Sequence, residues 1–325
     1  MSANQAALAT TLCGIPLRNP VFAASGTFGY GIEFEQLVDL NSLGAIVTKG
    51  LSRQPIAGNP APRLWHTHGG MINSVGLQNI GVSAFLQDKL PKLRRYSTPV
   101  FANVFGYCED DYVDVVHALE DAEGIAGYEL NVSCPNTSEG GMFFSSDVAL
   151  LGHLIERVRP HARRPLIVKL PPNVARIEPF AKAAENAGAD ALSLVNTFVS
   201  LAIDASKHTA SIGAGFGGLS GPAIKPLALR LVYEAAQSVK IPVIGLGGIA
   251  SAEDAVDFFI AGASAVQVGT ATFVDPRAPA RIAQRLGDVL RRAGVAHVGD
   301  LVGSLRLPAT TAVEAPCGSH CKIDS

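Results

Sequence analysis

The chain of 325 residues carries 26 basic and 28 acidic side chains, a net charge of −2, with 17% of residues charged and 48% hydrophobic. With a mean hydropathy of +0.26, this composition excludes intrinsic disorder, and 33 Gly and 20 Pro are too few and too scattered for a collagen-like or low-complexity chain. Balanced charge leaves no basic footprint for nucleic acid, and no apolar run reaches the ~18–20 residues of a membrane span, so neither partner is expected.

The N-terminus has neither a charged leader nor a compact apolar segment, so no signal peptide is read there. Five cysteines, at 13, 108, 134, 317 and 321, are a small, odd set that fits a reduced, cytoplasmic setting.

Eight short apolar runs follow one another, each ending on a polar residue or glycine. They are 21–24 before Ser25-Gly26, 44–48 before Lys49, 99–102 before Asn103 and 127–130 before Asn131. The other four are 166–168 before Lys169, 191–195 before Asn196, 242–245 before Gly247-Gly248, and 265–268 before Gly269-Thr270. Continuous runs of this kind predict parallel strands buried on both faces. Helical periodicity fills the gaps at 82–95, 109–122, 147–159, 175–187, 224–239, 252–260 and 278–292. The joins at Gly44, Gly188 and Gly262 read as glycines that end a helix in the left-handed conformation and open a strand.

This alternation predicts a (β/α)8 TIM barrel, an α/β fold of one domain over residues 1–325, with a tail from about 313 to 325. Uneven strand spacing puts extra length into three elaborated βα loops, 51–80, 133–146 and 197–221. In a barrel such loops stand on the catalytic face.

The residues that end the strands are therefore the candidate site: Ser25, Lys49, Asn103, Asn131, Lys169 and Asn196. One asparagine alone reads equally well as a turn residue. Two lysines and three amides together point to an anionic ligand rich in hydrogen-bonding edges, because a lysine at the end of a buried strand needs an anionic partner. The glycine pairs after the last two strands let backbone approach a phosphate, a recurrent barrel feature. Cys134, beyond the fourth strand, stands where a thiol could act on a ligand, yet alone it also reads as an ordinary loop cysteine. Cys317, His320 and Cys321 lack the second ligand pair that a zinc site needs, and no metal is expected.

Several segments occur together in one order: Ala24-Ser-Gly-Thr-Phe-Gly-Tyr-Gly31, Thr48-Lys-Gly50, Asn73-Ser-Val-Gly-Leu-Gln-Asn79, Asn131-Val-Ser-Cys-Pro-Asn136, Lys169-Leu-Pro-Pro-Asn173, Gly218-Leu-Ser-Gly221 and Gly247-Gly248. In this combination the chain resembles the class 1 dihydroorotate dehydrogenases over about residues 10–310, and the Ser-Gly-Thr-Phe-Gly and Gly-Leu-Gln-Asn forms resemble the NAD-linked 1B branch. The resemblance implies an FMN-containing oxidoreductase that converts dihydroorotate to orotate in pyrimidine (UMP) biosynthesis. It implies Cys134 as the base that takes a proton from C5, with hydride from C6 going to flavin N5. The matching FMN positions are Ser25, Lys49, Gly50, Asn103, Asn131, Lys169, Val195, Gly221, Gly247, Gly248, Gly269 and Thr270. The matching orotate positions are Lys49, Asn73, Ser74, Val75, Gly76, Leu77, Asn131, Asn196 and Thr197.

The chemistry of these residues suits those roles. A lysine and a ring of asparagines meet the carboxylate and amide edges of orotate, and Lys169 would stabilise negative charge on a reduced flavin. Glycines in the 133–146 loop would let it open and close over the substrate. The same resemblance implies a homodimer and a separate electron-transfer subunit carrying FAD and a 2Fe-2S cluster, since five scattered cysteines cannot hold a cluster here. Fumarate as acceptor and a related dihydropyrimidine reductase are nearby alternatives. From other classes, Lys49 and Lys169 also stand where barrel aldolases keep a Schiff-base lysine, and a catalytically silent barrel could sense a phosphorylated ligand.

Overall fold

The computed structural model describes residues 7–132, 144 and 147–308. Among these residues eight parallel strands close into a barrel. They are β1 Val21–Ala23, β2 Ala45–Val47, β3 Val100–Val104, β4 Gly127–Asn131, β5 Leu166–Lys169, β6 Ala191–Leu194, β7 Val243–Leu246 and β8 Ala265–Val268. Each pairs with its successor, and β8 closes on β1 in a register that sets Val266 beside Val21. The (β/α)8 expectation holds, and the strands fall where the apolar runs end on polar residues.

Successive strand residues face opposite sides. Val21, Ile46, Val100, Tyr128, Leu166 and Val266 face the helices, while Phe22, Ala45, Phe101, Ile167, Ala191, Ile244 and Ala265 meet inside the barrel. The lower opening is closed by a hairpin of Thr10–Leu12 against Ile15–Leu17 that sends Leu12 and Leu17 into this inner core. Its two-residue turn, Cys13 (φ 49°) and Gly14 (φ 79°), has the positive φ pair whose twist suits tight hairpins. The Cys13 thiol donates to the Asp190 carbonyl at 3.3 Å, and burial, aided by the Asp190 carboxylate, pushes it up to about 11.

The outer helices include Glu109–Glu120, Val148–Val158, Glu178–Asn186, Lys225–Ser238, Ala252–Ala261 and Ala278–Arg292. The expected helix over 82–95 is instead Gly81–Ala84 and Leu90–Leu93 joined by a π-helical stretch, Phe85–Lys89. Pro91 explains the widening: it lacks an N–H, and its ring crowds the carbonyl four residues earlier. Of the three joining glycines, Gly188 (φ 96°) and Gly262 (φ 118°) are left-handed as expected. Gly44 is not; it is glycine because a Cβ there would overlap the Asn19 carbonyl.

Two of the long loops hold structure that their composition did not announce. Leu64–Thr67 and Gly70–Asn73 from one, and Phe198–Leu201 and Phe216–Ser220 from the other, form a four-stranded antiparallel sheet at the barrel mouth. The third, 133–146, lies outside the described residues except for Phe144, as does the tail with Cys317, His320 and Cys321. No helix among the described residues is long and apolar enough to cross a membrane.

Candidate active site

The C-terminal ends of the strands surround a cavity of about 1660 Å³, larger than the ~300–1,000 Å³ usual for one small ligand. A cofactor and a substrate side by side would account for that size. Its wall brings together all six strand-end residues, Ser25, Lys49, Asn103, Asn131, Lys169 and Asn196. Gly50, Val195, Gly221, Gly247, Gly248, Gly269 and Thr270 line it as well, and so do Asn73, Ser74, Val75, Gly76, Leu77 and Thr197. Cys134 lies outside the described residues.

Beneath the lysines sits a polar hub centred on Glu129 of β4, which is 0% exposed. Its Oε1 accepts from Asn103 Nδ2 at 2.7 Å and Ser25 Oγ at 3.4 Å, and its Oε2 from Gln267 Nε2 at 2.6 Å and Ser193 Oγ at 2.9 Å. Lys169, 5% exposed, holds its ammonium 3.8 Å from Glu129 Oε1 and donates to Ser25 Oγ at 3.2 Å. Reading 127–130 and 265–268 as plain apolar runs misses Glu129 and Gln267, and the same reading of 191–195 misses Ser193. The signal is in strand parity: Glu129, Ser193 and Gln267 have the parity that turns Asn103 and Lys169 inward.

Lys49 follows β2 and is partly buried, with no salt bridge to a carboxylate among the described residues. Burial, and then the charge of Lys169, holds its ammonium below the usual lysine range. Two ammoniums on one cavity wall, with the Glu129 carboxylate 3.8 Å from only one of them, make a site for an anion. The amide edges nearby are fixed: Asn196 Nδ2 donates to Asn131 Oδ1 at 3.3 Å, Thr197 N to Asn196 Oδ1 at 2.8 Å, and Asn73 Nδ2 to the Gly218 carbonyl at 3.2 Å. The Tyr112 hydroxyl donates to the Asn131 carbonyl at 2.9 Å and steadies the end of β4.

The same wall fits a flat, phosphorylated cofactor such as FMN. A Cβ at Gly26 would meet only Lys49 Nζ, at 4.0 Å, and one at Gly269 would meet nothing nearer than Ala24 Cβ, at 3.6 Å. Both glycines therefore leave open a space that a side chain would take. At the other end Gly247 (φ 125°) and Gly248 (φ 81°) adopt backbone that side chains avoid, bringing bare peptide to the cavity where a phosphate could be held.

A model of the dihydroorotate dehydrogenase family matches residues 7–290. A Solibacter usitatus protein described as a dihydroorotate dehydrogenase A (fumarate) is 67% identical over 92% of this chain and 98% of its own length. The catalytic subunits of dihydroorotate dehydrogenase B (NAD(+)) from Geotalea uraniireducens and Geobacter sulfurreducens are 51% and 49% identical, again over 92% of this chain and 98% of theirs.

Proposed function

The chain belongs to the dihydroorotate dehydrogenase family, and on that premise we propose that its cavity oxidises dihydroorotate to orotate for pyrimidine (UMP) biosynthesis beside a bound FMN. The observation that carries this reading is the convergence of Lys49, Lys169 and four asparagines on one large cavity at the strand ends. Ser25, Gly50, Asn103, Asn131, Lys169, Val195 and the glycine-rich ends from Gly221 to Thr270 would hold the flavin, which when bound accepts hydride from C6 of the substrate. Lys49 pairs with the substrate carboxylate, and Asn73 to Leu77, Asn131, Asn196 and Thr197 hold its amide edges. Cys134 removes the proton from C5. Its ordinary value of ~8.5 leaves little thiolate at neutrality, so the site must activate it.

The 1B motifs favour NAD as final acceptor, reached through a separate subunit with FAD and a 2Fe-2S cluster. The name of the 67% identical relative favours a second reading, in which fumarate takes the electrons directly. Val199, Leu201 and Phe216 on the mouth sheet, and Ile203 just after it in the chain, are exposed and apolar, a surface that suits a second copy of the chain in a homodimer.

Anaerobic mixing tests the reading. Purified protein should be yellow, and dihydroorotate should bleach its flavin; colourless protein that dihydroorotate leaves unchanged overturns it. Reoxidation by fumarate alone, or by NAD only with an electron-transfer subunit, separates the two acceptors. C134S should keep FMN and lose about 10²- to 10⁴-fold in turnover at neutral pH, the range of a general base. Undiminished turnover would remove Cys134 from the chemistry.

A further inference from the structure

Strand β4 carries a carboxylate between Asn103 of β3 and Ile167 of β5, and the burial of Glu129 is complete. An uncompensated charge there would cost several kcal/mol. The compensation comes from all around the barrel: donors on β3, β6 and β8 and one just after β1 converge on the two oxygens. All four donors are neutral. Among the described residues the cation in reach is Lys169, at 3.8 Å. Glu129 thus joins Asn103 and Lys169, two residues of the cavity wall, to the buried floor.

We infer that Glu129 is a positioning residue of the flavin site: it holds Lys169 and Asn103 in place, and its charge limits how strongly the site favours reduced over oxidised cofactor. The inference rests on reading the cavity as an FMN site. Lys49 and Lys169 put two positive charges on this part of the wall, and Glu129, 3.8 Å from Lys169, offsets one of them. Without Glu129 that offset is lost, and every anion that forms or binds there is held more tightly, reduced flavin included. A site that must pass its electrons on gains from a buried counter-charge, because an over-stabilised reduced cofactor is slow to give them up.

E129Q isolates the charge, since the side chain keeps its shape. Its new amide can be met on the Gln267 side, where Gln267 Oε1 has no partner among the described residues and a reversed amide would turn it into an acceptor. FMN is titrated into apoprotein by fluorescence quenching, and the midpoint potential of the bound flavin is measured by dye equilibration. E129Q should raise the affinity ratio of reduced to oxidised FMN on the order of tenfold, since one unit of negative charge is withdrawn from beside the site. For a two-electron couple that is about 30 mV more positive. If E129Q does not fold, E129D keeps the charge but withdraws it by one methylene, and it should shift the potential the same way by less. A folded variant with wild-type potential and wild-type FMN affinity overturns the role of Glu129 alone. Wild-type protein that takes up no FMN overturns the flavin reading and this inference with it.

Discussion

Two layers inside the barrel are built from the same strands, two residues apart, and their chemistry is opposite. Toward the strand starts the inward side chains are Phe22, Ala45, Phe101, Ile167, Ala191, Ile244 and Ala265, packed with Leu12 and Leu17 of the hairpin. Two positions on, β3 carries Asn103, β5 Lys169, β6 Ser193 and β8 Gln267, with Glu129 of β4 among them. The lower layer is held by dispersion and burial, the upper by hydrogen bonds to one carboxylate. A strand needs only one step of its two-residue period to pass from holding the fold to holding the ligand. If that division is real, each layer can be damaged without the other.

The largest effect should come from below. Phe101 is fully buried and stacks on Phe22 with ring centroids 6.0 Å apart. Phe101→Ala should cost about 3–5 kcal/mol of unfolding free energy, the usual range for an emptied aromatic site. The folded fraction should bind orotate as the wild type does. Urea denaturation and orotate titration of the flavin spectrum read the two quantities separately, and a parallel collapse of affinity would show the layers to be coupled.

Lys49→Ala is the converse. Losing a charge-assisted partner for the substrate carboxylate should weaken orotate binding by about 10- to 150-fold, equivalent to ~1.5–3 kcal/mol. Stability should hold or rise, because a partly buried ammonium is no longer desolvated. An unchanged orotate titration would take Lys49 out of the site.

The two layers were not equally legible. The site residues that end strands were plain in the sequence, because Lys49, Asn103, Asn131, Lys169 and the glycine pairs interrupt apolar runs at regular places. Glu129, Ser193 and Gln267 were hidden inside such runs, where one polar residue carries no message until strand parity puts it beside Asn103. The hairpin plug escaped notice because its strands are three residues long and its turn is Cys13-Gly14 rather than the usual Asn-Gly. The mouth sheet was invisible for another reason: it pairs segments such as Asn73 and Gly218, 145 residues apart, and local pattern does not encode so distant a partner. The role of Cys134 was readable only through family resemblance, and the residue lies outside the described part of the chain.

The smallest effect is the most discriminating, because a single proton should move the two layers in opposite directions. Burial and the nearby Lys169 charge hold Lys49 below its ordinary value. Below the lowered value Lys49 is charged and orotate affinity is complete; as pH rises through it the ammonium is lost and affinity falls toward that of Lys49→Ala. Stability runs the other way. Between the folded and unfolded values the unfolded chain holds more protons, so unfolding free energy rises with pH, by at most about 1.4 kcal/mol per pH unit. Orotate titrations and urea denaturation across the alkaline range should therefore give slopes of opposite sign in the wild type, and Lys49→Ala should flatten both. If that variant keeps the wild-type slopes, the proton belongs to another group, and Lys49 is not where ligand affinity and the cost of the polar layer meet.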